Sequence, residues 1–234
     1  RCYSMPRNGQ IEAFKNMLNA MKEANVLNGV IIVGSWAEYL YKHCNLLDYL
    51  LTMRTQDVDV LIKNMNKPSG QVSKALQQHG FIMIPDNNGL MKFDYLGELE
   101  VEFLLQERGV GQNKPYKTAL NVTAQGLRHM DILLEYCISV NYNGLDVEVP
   151  MPFAYILHKL IINSQRQPYK QEKDADAVGS LFNAISEDVK NQMLLVYKTE
   201  LTKKERIAII ETCNRFPEIL EKIKVLLLDD TTPE

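Results

Sequence analysis

No apolar run in this sequence approaches the roughly 20 residues a membrane helix needs, so no membrane-spanning helix is expected. Its four cysteines, Cys2, Cys44, Cys137 and Cys213, are scattered without a C-x-x-C pair. That excludes a disulfide framework and a cysteine zinc site and leaves reduced thiols in a cytoplasm as the expectation. His43, His79, His129 and His158 have no zinc-ligand spacing either. An excess of one charge is also missing: 26 Lys and Arg against 29 Asp and Glu give a net charge of −3. Bulk electrostatic attraction to nucleic acid is therefore excluded, and only a local basic patch remains open. The first residues, Arg1-Cys2-Tyr3-Ser4-Met5-Pro6, contain no apolar h-region, so no secretory signal is expected. They also lack an initiator Met, which reads as a trimmed chain or a natural start nearer Met5. Without export, the sequon Asn121-Val122-Thr123 has no consequence. There is no internal repeat, and Ser35 lacks the G-x-S-x-G frame of a hydrolase elbow.

What is present is ordinary globular material, 46% hydrophobic over 234 residues, enough for one large domain or two modest ones. Residues 10–26 carry a helical stripe of Ile11, Phe14, Leu18, Met21 and Val26. Val30-Ile31-Ile32-Val33 is wholly apolar, as a strand covered on both faces is, and Gly34-Ser35 leads into a helix predicted over residues 36–50. Residues 57–62 predict a second strand, Lys67-Pro68-Ser69-Gly70 opens a helix ending near His79-Gly80, and residues 81–84, 91–95 and 99–105 predict three further strands. Residues 132–142 and 145–149 predict a hairpin turning at Asn143-Gly144. From Pro152 onward every periodic segment is helical, with Ser186 and the Thr202/Glu205 capping box as helix entries. The fold class is α+β: a mixed α/β domain over residues 1–150, then an all-helical domain over residues 151–234.

Three features could carry chemistry. Gly34-Ser35 ends a buried strand at a helix N-terminus, where backbone N–H groups and a hydroxyl form a phosphate cradle or merely an N-capped turn. Asp57 and Asp59, two apart in a strand, share one face roughly 6–7 Å apart. Such a pair suits the hard cation Mg²⁺ or is simply the polar face of a half-exposed strand. The strand Leu99-Glu100-Val101-Glu102-Phe103 supplies a third carboxylate, Glu102 or alternatively Glu100, and clustered carboxylates call for a cation. Arg128 is a further candidate near phosphate or a structural ion pair, and Arg166, Lys170 and Lys173 form a modest basic cluster.

The succession Gly34-Ser35, helix, Asp57-x-Asp59 and acidic strand resembles the polymerase-beta-like nucleotidyltransferase superfamily. The Arg54-Thr55-x-Asp57-x-Asp59 version is similar to the bacterial branch of AbiEii-type toxins. The resemblance implies that Gly34 and Ser35 hold nucleotide phosphate and that Asp57, Asp59 and Glu102 hold two Mg²⁺ ions. It further implies a triphosphate contact for Lys159 on a C-terminal helix, with Asp174 or Asp176 positioning Lys159 or the acceptor; otherwise Lys159 is a surface lysine lying along an apolar helix. The resemblance runs over about residues 29–185, with a longer Ser35-to-Asp57 connection than usual and Glu in place of the usual third Asp. The implied activity is transfer of a nucleoside monophosphate from an NTP to a hydroxyl acceptor: RNA such as tRNA, a protein or a small molecule. The toxin branch also implies an antitoxin protein as partner. The alternative is a non-enzymatic nucleotide-binding module, or a scaffold whose carboxylates are solvated.

Overall fold

A computed structural model describes residues 6–48, 56–107 and 114–228. They divide into two compact units, one of residues 6–46 and 56–150, the other of residues 47–48 and 151–228. Arg54 and Thr55 of the acidic motif lie outside the described residues.

The first unit opens with α1 (Asn8–Glu23), which buries Phe14, Met17, Leu18 and Met21 along one face. Strand β1 (Val30–Val33) is buried at all four positions, as its wholly apolar sequence requires. Helix α2 (Ser35–His43) follows at once, and Phe14 of α1 stacks on its Trp36 at 4.2 Å between ring centroids. That contact fixes the orientation of the helix that starts at Ser35. The helix stops earlier than the predicted residue 50, because Asn45 takes the left-handed conformation at φ 55°.

Next come β2 (Asp57–Ile62), α3 (Val72–Gln78), β3 (Ile82–Pro85), β4 (Met91–Tyr95) and β5 (Leu99–Gln106). Helix α3 starts at Val72 and not at the Pro68 region, where Asn64 and Lys67 instead close a β-bridge. Two short strands that local periodicity does not reveal, β6 (Pro115–Lys117) and β7 (Thr123–Leu127), precede α4 (Asp131–Glu135). The hairpin of β8 (Cys137–Tyr142) and β9 (Leu145–Pro150) closes the unit through Asn143 and Gly144. Both turn residues have positive φ, 52° and 80°, as a type I′ turn demands. The sequence pattern starts the first strand of that hairpin at Ile132. Its first turn is instead helical, with Ile132 and Leu133 buried, so the apolar run supplies a helix face and not a strand.

Seven strands form one mixed sheet in the order β1-β2-β5-β4-β3, with β7 bonded to β5 and β6. β5 is its hub: β2 runs parallel along one side, while β4 (antiparallel) and then β7 (parallel) share the other. On one face of β2 and β5, Val58, Val60, Val101 and Phe103 are buried, and α1 packs against both α3 and β5.

The second unit contains α5 (Pro152–Ile162), α6 (Pro168–Ala184), α7 (Glu187–Thr199), α8 (Lys203–Arg215) and α9 (Pro217–Leu228). α5 is its central helix: every residue from Pro152 to Ile161 is buried, and α6, α7 and α8 all pack on it. Ser186 accepts the Val189 N–H, and Thr202 and Glu205 form the predicted capping box. The fold is α+β, a mixed sheet with its helices followed by a run of helices.

Candidate active site

The acidic face arises from strand register. β2 and β5 are parallel neighbours with Asp57 beside Glu100 and Asp59 beside Glu102. Side chains at paired positions point to the same side of a sheet, so four carboxylates share one face while the alternating valines and Phe103 line the other. Both glutamates that the sequence leaves as alternatives therefore sit on it.

Gly34 adjoins this face. β1 pairs with β2 so that Val33 lies opposite Asp59, and Gly34 follows with φ 67° and ψ −154°. A β-carbon at Gly34 would lie 2.6 Å from Asp59 Oδ2, so only glycine allows the backbone to pass the carboxylate here. Ser35 is the first residue of α2, whose first-turn N–H groups have no acceptor within the helix.

Sequence reasoning missed Lys92. It precedes Phe93, whose β5 partner is Val101, and its ammonium forms ion pairs with Glu100 Oε1 at 2.7 Å and with Glu102. The tight turn at residues 96–98 fixes this register, so counting back from Tyr95 opposite Leu99 would have set Lys92 against Glu102. Partial burial works to lower the Lys92 pKa, but the hydrogen bonds and charges of Glu100 and Glu102 outweigh it and hold the ammonium above its ordinary value. Burial raises the Glu102 carboxyl; Lys92 opposes that, Asp59 and Glu100 reinforce it, and the net shift is upward.

The donor set is hard oxygen, which suits Mg²⁺ and not softer metals. Asp57 and Asp59 present two such carboxylates on β2, with Val33, the residue before Gly34, opposite Asp59. Among the described residues, no three His, Cys, Asp or Glu side chains converge as metal ligands. Glu102 and Glu100 are both ion-paired to Lys92. Arg128 follows Leu127, the partner of Gln106, so it lies more than four residues along β5 from Glu102, roughly 13 Å or more of extended chain.

Within the helical unit, Lys159 is not a surface lysine. It is 8% exposed on α5, and its ammonium donates to Asp174 Oδ1 at 2.9 Å. Arg166 Nε lies 2.9 Å from Asp174 Oδ2, close enough for charge attraction although not aligned as a hydrogen bond. Lys159 also lies over the Tyr155 ring, 5.4 Å from its centroid. Of the two candidate partners, Asp174 forms an ion pair with Lys159.

A mixed sheet whose parallel strands carry aspartates and glutamates beside a glycine-serine helix entry, followed by a run of helices, has the build of a nucleotidyltransferase. A family model described as nucleotidyltransferase matches residues 12–202, most of the chain, and the protein belongs to that family. No curated protein sequence matches it. Among solved structures it is similar to an antigenic nucleotidyltransferase-like protein from Paracoccidioides brasiliensis. Identity is 15%, the match covers 91% of this chain and 92% of that one, and the TM-score is 0.53, a likeness of fold. Looser matches are the antibiotic-resistance factor ANT(2'')-Ia in solution (13% identity, 93% and 89% coverage, TM-score 0.39) and its crystal structure with adenylyl-2''-tobramycin (14%, 93% and 94%, 0.40).

Proposed function

We propose that this protein is an enzyme that transfers a nucleoside monophosphate from an NTP to a hydroxyl acceptor, releasing pyrophosphate, on the acidic face of β2 and β5. The observation that carries this reading is the meeting of Asp59, Glu102 and Gly34: Asp59 is paired across the sheet with Glu102 and leaves room for no side chain at Gly34. Ser35 and the first-turn N–H groups of α2 would bind phosphate oxygens, and the bare backbone at Gly34 would let them approach. Asp57 and Asp59 would hold Mg²⁺, which when bound neutralises phosphate charge and stabilises the leaving pyrophosphate. Glu102 is the third carboxylate of the face. The resemblance gives Lys159 to the triphosphate, a role in which phosphate would have to join or replace Asp174 as its partner.

The acceptor we favour is an RNA 3′ end such as that of a tRNA, on the likeness of the Arg54-to-Asp59 motif to the AbiEii-type toxins. Such a toxin would have an antitoxin protein as partner. Protein side chains and small molecules are the competing acceptors. One observation favours a second reading: Lys92 occupies Glu102, as in a module that binds nucleotide without turning it over. Incubation with each labelled NTP, Mg²⁺, and total cellular RNA or protein separates these. Label in the RNA fraction supports the favoured acceptor, and label in protein moves it. NTP binding without transfer to any fraction establishes the second reading.

A further inference from the structure

Lys92 stands where the acidic face should be most attractive to a cation, and it bridges two carboxylates of that face at once. Its side chain is 32% exposed, with Glu100 at 29% and Glu102 at 26%, so the three form a half-solvated cluster and not a buried core pair. Strand β4 sets its position through the Phe93–Val101 and Asp94–Glu100 pairings, so the ammonium is anchored by the sheet and not by a loose loop. Glu102 has Asp59 as its neighbour on the other side. A divalent ion drawn to Asp59 therefore meets, one strand away, a carboxylate already ion-paired to a lysine.

We propose that Lys92 is a tethered counter-ion that competes with a divalent cation for Glu102, and so sets how strongly the acidic face binds such ions. The inference rests on the proposed metal site at Asp57 and Asp59. Two cations cannot share the same carboxylate oxygens without repulsion. Lys92 contacts Glu102 at Oε1, so an ion either stays with Asp57 and Asp59 or reaches Glu102 against the repulsion of the ammonium beside it. In both cases Lys92 weakens ion binding in the absence of nucleotide, and its removal returns Glu102 to the site. Lys92 acts through Glu102 and is a positioning residue.

The test is direct titration of the full chain with Mn²⁺, followed by loss of the free-ion paramagnetic resonance signal, with no nucleotide and no turnover. Lys92→Met should bind Mn²⁺ roughly tenfold to a hundredfold more tightly than the wild type, the range expected when a charge-assisted contact no longer competes. Lys92→Arg, which keeps the charge, should stay near the wild-type value. Glu102→Gln should cancel the gain when added to Lys92→Met. Lys92→Gln, which retains a donor to the carboxylates without the charge, repeats the test if the Met variant folds poorly. Equal Mn²⁺ affinity in the wild type and the uncharged variants overturns this role for Lys92 and leaves the metal site standing. Absence of Mn²⁺ binding in every variant overturns both.

Discussion

Gly34→Ala places a methyl 2.6 Å from Asp59 Oδ2 at a φ of 67°, so the backbone or the carboxylate must move. The expected outcome is a stability loss of about 1–3 kcal/mol, read by urea denaturation. NTP affinity should fall as well if, as proposed, Asp59 holds the ion that binds the nucleotide. A variant with full NTP affinity would remove Gly34 from the site. Each of the two residues stands out in the sequence, because the Gly-Ser turn reads as a strand end and the Asp-x-Asp spacing as one strand face. Their dependence on each other does not. It requires β1 and β2 to pair so that Val33 meets Asp59, a register no local pattern encodes.

Among the elements, α5 is legible as a helix, but the setting of its lysine is not. Its periodicity predicts the helix, but periodicity within one element says nothing of the helices that cover it. With α6, α7 and α8 packed around it, the Lys159 ammonium is buried and depends on Asp174. Lys159→Ala should destabilise the protein, by less than the roughly 3–5 kcal/mol typical of a stranded buried charge. The moderation comes from Arg166, which remains 2.9 Å from Asp174. Asp174→Asn leaves two cations without their carboxylate and should cost more than Lys159→Ala in chemical denaturation. The reverse order would contradict the Asp174-centred arrangement.

Helix α8 supports a prediction about pH. Burial pushes the Cys213 thiol up to about 12, with Lys224 opposing and Glu221 adding to the shift. The folded state thus holds this proton more tightly than the unfolded chain does. The stability it contributes is fully present below the ordinary thiol value of 9.0 and is lost as pH rises through about 12. Cys213→Ala should flatten the alkaline fall in denaturation midpoint over that window. Native protein should expose Cys44 and Cys137, both partly accessible, to a thiol reagent before Cys213. Rapid labelling of Cys213 at neutral pH would contradict the buried placement.

For the whole molecule, the α+β class is legible in the sequence, because the change at Pro152 from mixed to purely helical periodicity is a pattern any local window detects. The order of the sheet is not. Strands β6 and β7 are short, β7 contains Gln125 and Gly126, and its parallel pairing to β5 spans distant sequence. Lys92 is different: its cross-strand place against Glu102 follows from the local turn between β4 and β5. The decisive measurement is calorimetric titration of the full chain with NTP, with and without Mg²⁺, for the wild type and Asp59→Asn. Mg²⁺ should tighten NTP binding to the wild type, and Asp59→Asn should abolish that dependence while the melting temperature is retained. NTP affinity indifferent both to Mg²⁺ and to the substitution would contradict the assignment of the β2–β5 face as the nucleotide and metal site.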